Sequence, residues 1–300
     1  MEAIVGRVLD LNRAAAGAAY ALGGERQVAC HIQLRHRRFL LKPAVLVLFV
    51  YASFLNPAIA SPEPVAVRFM EGLVHGFLSL RAPDGTALAS GDLTQLVRGD
   101  RVTSRLVFRF KDGSSHDETA VFSQRGHFRL LTNRLVQKGP AFGRPLDMTI
   151  DTGTRQVTVR YMDDGKEKTE AEQLDLPPDL ANGMIITLLK NVRPGALPKS
   201  LSLVAATPKP RVVKLEIAVA GKESFSVAGS GRRATHYVIK VEICGIAGVI
   251  APLLGKQPPD SHVWILEGEA PAFLRSQAPL FMDGPLWRID LVSPVWPRTQ

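Results

Sequence analysis

Residues 101–113 read RVTSRLVFRFKDG, and this stretch decides the fold class. Its apolar residues share one face of an extended chain and its basic residues share the other: Val102, Leu106, Phe108 and Phe110 against Arg101, Arg105, Arg109 and Lys111. A period of two with one polar side indicates an antiparallel strand whose sheet has one face on a core and one toward water. Lys111-Asp112-Gly113 then supplies a turn, so the stretch predicts the first arm of a hairpin.

The same alternation recurs along the chain from Glu71 onward, for example over residues 213–219, 237–243 and 287–291. Turn signals separate the runs and predict further hairpins at Pro83-Asp84-Gly85, Asp163-Asp164-Gly165 and Ala220-Gly221-Lys222. One segment differs: residues 177–190, PPDLANGMIITLLK, place their apolar side chains on a helical stripe. This predicts a helix of about a dozen residues packed on the sheet.

The predicted fold class is therefore mainly β: a large curved antiparallel sheet, a half-barrel or open barrel, packed on one internal helix. The strands before and after the helix could form two domains. Because no low-complexity linker separates them, we expect one β-rich domain over residues 61–300.

The composition is that of an ordinary folded chain: 300 residues, 46% apolar and 22% charged, with two cysteines. It excludes collagen-like, disulfide-stapled and broadly disordered proteins. The net charge is +9, but the first 60 residues carry 7 Lys and Arg against 3 Asp and Glu, a net +4. The remaining excess is spread over a long chain, and aromatic residues do not interleave with the basic ones, so a nucleic-acid partner is not expected.

A secretory signal is the clearest pattern in the leader. The basic cluster from Arg35 to Lys42 precedes the apolar run of residues 44–55, and Ala58-Ile59-Ala60 supplies small residues at the positions that a signal peptidase reads. We predict cleavage after Ala60 and a periplasmic or secreted protein with peripheral or no membrane contact. The alternative is an uncleaved inner-membrane anchor, because residues 43–62 contain no charge and are just long enough to span a bilayer.

Two further predictions concern the first residues of the chain and its two cysteines. Secretory signals begin close to their basic region, so residues 1–33 are interpreted as mis-annotated, with an extended signal as the alternative. Cleavage would remove Cys30 and leave Cys244, which sits in an apolar setting and is interpreted as a buried, inert residue.

Residues 61–300 show no signature of catalysis or of a cofactor. There is no phosphate-binding loop, no G-x-S-x-G elbow and no H-E-x-x-H pair, and the histidines lack the spacing of metal ligands. Ser115-His116-Asp117 holds the residue types of a catalytic triad, but neighbours in a strand point to opposite faces, so a solvated hairpin end is the favoured interpretation. No catalytic, metal-binding or cofactor-binding residue is assigned.

Large apolar residues predict a possible ligand cavity. All three tryptophans, Trp264, Trp287 and Trp296, lie near the end of the chain, and on strands of a curved sheet such side chains line a cavity or fill a core. The candidate lining residues are Phe108, Phe110, Leu188, Tyr237, Trp264, Phe281 and Trp287. The basic strand face of Arg101, Arg105 and Arg109 is the candidate for an anionic partner, with a solvated face as the alternative.

The strand RATHYVIKV at residues 233–241 and the ending HVWIL…GPLWRIDL between residues 262 and 291 resemble uncharacterised bacterial envelope proteins. These carry a domain of unknown function similar to the half-barrel of lipoprotein carriers, and the resemblance covers residues 70–293. It implies a curved sheet wrapped around a helix, with an apolar cavity able to hold acyl chains, and no catalytic residues. The chain departs from that pattern in its long leader and in lacking a lipid-anchor cysteine after Ala60.

Three functions follow as hypotheses. The first is a non-enzymatic periplasmic protein that binds a lipid or other amphiphile, or another envelope component, in a half-barrel. The second is a structural or interaction protein of the envelope, with a self-filled core and edge strands that pair with a partner. The third is a hydrolase of envelope polymers, which needs His236 near Asp260 or Glu242 in a polar cleft. An apolar tunnel would favour the first hypothesis and a filled core the second. Titratable groups that converge in a cleft would favour the third.

Overall fold

The computed structural model describes residues 63–197, 199–227, 230–242 and 258–292. The predictions for residues 1–60, Cys244 and Trp296 lie outside these residues. The described residues form fourteen strands: β1 (Val74–Arg81), β2 (Ala87–Arg98), β3 (Arg101–Phe110), β4 (Ser115–Ser123), β5 (Arg129–Lys138), β6 (Leu146–Asp151), β7 (Gln156–Asp163), β8 (Lys166–Gln173), β9 (Lys199–Val204), β10 (Val212–Val227), β11 (Ser230–Glu242), β12 (Ser261–Leu266), β13 (Ala272–Ala278) and β14 (Trp287–Val292). Helix α1 (Ile185–Asn191) and a 3₁₀ turn (Pro194–Ala196) lie between β8 and β9.

All fourteen strands form one antiparallel sheet, in the order β8-β7-β6-β5-β4-β3-β2-β1-β14-β13-β12-β11-β10-β9. The chain builds a first meander from β1 to β8, crosses through α1 to the opposite edge, and builds a second meander from β9 to β14. The last strand then pairs with the first, with Phe77 opposite Val292. The edge strands β8 and β9 are not paired with each other, so the sheet is open and the predicted fold class is confirmed.

The alternation of apolar and basic residues in residues 101–113 corresponds to the observed burial in β3. In β3, Val102, Phe108 and Phe110 are buried, whereas Arg101 and Arg105 are exposed. The predicted hairpin turns after β1, β3 and β7 are present. The turn at residues 163–165 has positive φ at Asp164 (49°) and Gly165 (73°), the backbone that an Asp-Gly pair supplies in a tight hairpin.

Two element predictions are wrong. Ala220-Gly221-Lys222 is not a hairpin turn: β10 runs straight through it, with a register shift between Val219 and Gly221, because a glycine inside a strand also suits a bulge. The helix is shorter than predicted and begins at Ile185. Gly183 has φ +65°, a left-handed conformation that interrupts a right-handed helix, and Leu180 instead bridges to Ser202 of β9.

The sheet has an inner face, which carries α1 and the hydrophobic core, and an outer face. Leu188 and Leu189 of α1 are 2% and 1% exposed and belong to the same core as Phe108 and Leu201. Burying such a side chain contributes about 2 kcal/mol, so this shared core holds the two meanders together.

A strap formed by residues 63–73 covers one end of the inner face. Its backbone follows the β4–β5 turn, where Phe128 N donates to Val65 O at 2.9 Å. It then reaches α1, where Asn191 Oδ1 accepts hydrogen bonds from the backbone N–H groups of Arg68 (2.8 Å) and Phe69 (2.7 Å). The Lys190 ammonium lies 2.6 and 2.7 Å from the two carboxylate oxygens of Glu71, which fastens the strap to the helix.

Candidate functional site

Most of the seven candidate lining residues are buried among the protein's own side chains. Phe108, Phe110, Leu188, Tyr237 and Trp287 belong to the core, and Phe281 packs against it partly buried. Trp264 lies on the outer face instead, where its ring stacks on His236 at a centroid distance of 4.3 Å. The structure therefore brings six of the seven to the inner face and separates Trp264 from them.

An aromatic cluster closes the end of the inner face opposite the strap. Phe142, from the β5–β6 loop, lies 5.4 Å from Phe110 and 5.5 Å from Phe281, and Trp287 lies 5.4 Å from Phe110. These are ordinary separations for packed aromatic rings. The space around Phe110, Phe281 and Trp287 is thus filled by their own rings and by the ring of Phe142. Phe142 was not among the lining residues predicted from the sequence.

His116 lies in the same end of the core and corrects an interpretation of the sequence. Ser115 and Asp117 do point away from it, as expected for strand neighbours, but His116 is 3% exposed and is not part of a solvated hairpin end. Burial lowers the pKa of His116 to about 4. Gln137 Nε2 lies 3.2 Å from His116 Nδ1, so Nδ1 accepts and the neutral ring carries its proton on Nε2, which has no partner among the described residues.

One stretch of the inner face remains incompletely covered. Four residues, one from each of β1 to β4, are paired in register across the sheet, and each is only half-buried: Gly76, Leu93, Leu106 and Glu118. We call these four residues the inner row. Its continuation into β5 and β6, Leu135 and Met148, is 7% and 1% exposed. The two leucines of the inner row therefore form an apolar floor that stays partly accessible beside a fully packed region.

The inner row ends at a carboxyl group held by an amide. Asn133 Nδ2 donates to Glu118 Oε1 at 3.1 Å, while Asn133 Oδ1 is buried without a partner among the described residues. Burial raises the pKa of Glu118. Gly183, just before α1, comes so close that a Cβ atom there would lie 2.8 Å from Asn133 Nδ2 and 3.2 Å from Glu118 Oε1. Only glycine fits this approach, and it brings the start of α1 to the end of the inner row.

A small depression of about 180 Å³ lies where α1 and the strap meet β11 and β12. Arg68, Tyr237 and Glu267 are among its lining residues. Burial, and then the nearby Glu267 carboxylate, raise the pKa of Tyr237, while Glu267 itself accepts from Thr235 Oγ1 at 2.8 Å. This volume is below the few hundred Å³ typical of small-molecule sites, so the depression alone does not hold a lipid-sized ligand.

The arginine face of β3 is largely neutralised by neighbouring strands. Arg105 donates two hydrogen bonds to Asp117, at 3.0 and 2.6 Å, and Arg109 pairs with Asp92 at 2.9 Å. The Arg105 guanidinium lowers the pKa of Asp117, although burial works in the opposite direction. Arg101 is exposed and forms no ion pair with a described residue. The outer face nearby holds an open depression of about 580 Å³ over Ser79 and Ser90.

The residues named for a hydrolase are not brought together. His236 Nδ1 lies 3.1 Å from Glu223 and its Nε2 lies 2.9 Å from His262 Nδ1, whereas Asp260 lies 3.9 Å from Lys240. Glu242 lies opposite Lys214 at the far end of β11. Burial, and less strongly His262, lower the pKa of His236, while Glu223 opposes them. This histidine pair had no sequence signal, because its two members come from different strands.

Within the described ranges, no three His, Cys, Asp or Glu side chains are grouped so that they could hold a metal ion. In the same ranges, no helix has the length and apolar character needed to cross a membrane.

Comparisons with known proteins give two structural likenesses. The chain is similar to a β-barrel-like protein of the domain of unknown function DUF1849 from Brucella abortus, at 12% identity and a TM-score of 0.40, over 76% of this chain and 100% of that one. It is also similar to the hypothetical lipoprotein YmcC from Escherichia coli, at 10% identity and a TM-score of 0.34, over 87% and 100%. No protein-family model and no curated protein matches. Both likenesses are to uncharacterised bacterial proteins, and neither assigns a function to this chain.

Proposed function

We propose that this protein is an exported, non-enzymatic protein that holds an apolar or amphiphilic ligand against the inner face of its sheet. The observation that carries the proposal is the inner row, where Leu93 and Leu106 stay partly accessible beside the packed core. Apolar surface left open beside a packed core favours an apolar ligand, because covering it releases water. The export signal in residues 35–60 supports a periplasmic location.

The chemistry around the inner row fits a ligand with both apolar and polar parts. Val74 and Leu291 lie on the same face at 36% and 42% exposure, so the apolar floor continues onto β14. Glu118 and Asn133 provide a polar terminus at the other end. An amphiphile lying along the row would cover the leucines and place its polar group at the Glu118 carboxyl.

A second candidate function is an interaction protein with a self-filled core. The packing of Phe110, Phe142, Phe281 and Trp287 favours it, because this part of the predicted cavity contains the protein's own rings. In that case the surface of the protein, and not its interior, carries the function.

Native mass spectrometry distinguishes the two candidates. The full chain is expressed with its own leader, purified from a bacterial periplasm, and weighed before and after organic extraction. We expect an adduct of lipid mass that extraction removes. Leu106→Trp, which fills the inner row, should abolish the adduct, whereas Val107→Trp on the outer face of the same strand should retain it. Circular dichroism checks that both variants fold. A bare mass for the unaltered protein, or an adduct that Leu106→Trp leaves unchanged, contradicts ligand binding at the inner row.

A further inference from the structure

Four exposed arginines lie together at the strap end of the sheet. Arg98 and Arg101 flank the β2–β3 turn, Arg125 lies in the β4–β5 turn and Arg129 begins β5. Because β2 and β4 run in the same direction, both turns lie at the same end of the sheet. We call these four residues the arginine rim.

The arginine rim differs from the other arginines of these strands in lacking partners. Farther along the same sheet, Arg105 pairs with Asp117, Arg109 with Asp92 and Arg134 with Asp147. None of the four rim arginines forms an ion pair with a described residue. Asp100 is the one carboxylate in the two turns, so residues 98–101 and 125–129 hold four arginines and one aspartate, a net charge of +3. These two turns together therefore carry a positive charge that no ion pair with a described residue compensates.

Apolar side chains project beside the arginine rim. Met70 and Leu73 of the strap are 69% and 80% exposed, and Leu96, two residues before Arg98, is 55% exposed. The strap is fixed to the β4–β5 turn by the hydrogen bond from Glu71 N to Gln124 Oε1 at 2.8 Å, so Met70, the residue before Glu71, lies at the same end of the sheet as this turn. Exposed apolar residues of this kind mark surfaces that contact a membrane or another molecule.

We propose that the arginine rim docks the protein on an anionic lipid bilayer, with Met70, Leu73 and Leu96 entering the interface. Arginines near an anionic leaflet are attracted to its phosphates, and isolated apolar side chains gain by leaving water at the headgroup boundary. The combination of uncompensated cations and single projecting apolar residues fits this surface. The inference is independent of the inner row, because no rim residue belongs to it.

Vesicle co-sedimentation tests the proposal with the full chain, expressed with its own leader and purified as the exported protein. The probes are vesicles of phosphatidylcholine alone and vesicles that also contain phosphatidylglycerol. We expect binding only to the anionic vesicles, weakening steeply as salt is raised. Arg98→Gln/Arg101→Gln/Arg125→Gln/Arg129→Gln should bind more than about tenfold more weakly. Arg288 pairs with Asp290 at 2.9 Å. The matched control, Arg105→Gln/Arg109→Gln/Arg134→Gln/Arg288→Gln, therefore removes four paired arginines and should bind like the unaltered protein. Thermal unfolding checks that both variants fold.

Two results would overturn the inference. The first is a rim variant that binds anionic vesicles as well as the control, or an unaltered protein that binds none. The second is binding of soluble polyphosphate as tight as binding of vesicles, together with vesicle binding that Met70→Ser/Leu73→Ser leaves unchanged. That second result would indicate a polyanion site in place of a lipid-docking surface.

Discussion

His116 shows how a single buried side chain makes the stability of a fold depend on pH. Its ring is enclosed by Phe108 and Phe142, and its pKa of about 4 means that protonation is disfavoured in the folded state. In the unfolded chain the ordinary value of 6.5 returns. The unfolded state therefore binds more protons between pH 6.5 and pH 4, and acidification across that window favours unfolding.

We predict that His116 destabilises the fold by about 3 kcal/mol when the pH falls from 7 to below 4, with most of the loss between pH 6.5 and pH 4. His116→Gln cannot take up this proton and should flatten that part of the stability curve. Urea unfolding at a series of pH values measures the effect. The control is His127→Gln, an exposed position in the β4–β5 turn, which should keep the slope. An unchanged slope in His116→Gln would contradict the assignment.

The sequence predicted which residues of a strand share a face, but not which residues meet across strands. Alternation placed Phe108 and Phe110 inside and Arg105 outside, as observed. It could not show that Glu118 lies opposite Leu106, because that pairing depends on the register of β3 against β4. The inner row and the His236–His262 pair both depend on the register between strands. The pattern of residues within one strand therefore could not predict them.

At the scale of elements, the two edge strands are protected by different means. The edge strand β8 reads KEKTEAEQ and is exposed along most of its length, so its charges oppose pairing with another chain. The other edge strand, β9, is more apolar, and the segment before α1 covers it. The Asn182 amide donates to Val204 O and accepts from Val204 N, both at 2.9 Å, in the manner of a neighbouring strand. Edge pairing with a partner, as the second hypothesis requires, therefore meets an obstacle on both sides.

We predict that Asn182→Ala unmasks the edge of β9. Val204 is 1% exposed, so its backbone groups would be left buried without partners, at a cost of about 1–3 kcal/mol. Hydrogen exchange at the Val204 amide should accelerate, and size-exclusion chromatography should show self-association. Asn182→Asp keeps the acceptor and loses the donor, so it should give an intermediate rate. Exchange at Val204 that is unaffected by Asn182→Ala would show that the amide does not protect this edge.

The shortened helix and the bulge in β10 show why the boundaries of elements were harder to predict than their type. The apolar stripe from Leu180 to Leu189 is buried as expected, but only its second half is helical. The glycine at 183 serves a close approach to Asn133, and the one at 221 serves a bulge. In both cases the backbone conformation at the glycine is set by a tertiary contact or by an irregularity in strand pairing. Neither is visible in the local sequence pattern.

At the scale of the whole molecule, the strap joins three separate parts: the β4–β5 turn, α1 and the start of β1. Its one buried ion pair is between Lys190 and Glu71, whose side chains are 16% and 4% exposed. A buried charge without its partner is strongly destabilising, whereas an apolar pair of similar volume is often tolerated.

We predict that Lys190→Met destabilises the protein by about 3–5 kcal/mol and loosens the strap, because Glu71 is left buried and unpaired. Glu71→Met/Lys190→Met removes both charges and should recover most of that loss. Urea unfolding gives the free energies, and hydrogen exchange over residues 63–73 reports on the strap. A double variant no more stable than Lys190→Met would show that the ion pair is not what holds the strap.

The seam between β1 and β14 also fixes the order in which the sheet can be completed during synthesis. Each strand from β2 to β7 gains both neighbours as the next hairpin leaves the ribosome, but one edge of β1 waits for residues 287–292. Until then Phe77 to Arg81 offer open backbone groups to any other extended segment. The first strand to be made is therefore among the last to be paired on both sides. A nascent or secreting chain has to be kept from aggregating at this edge until its final strand arrives.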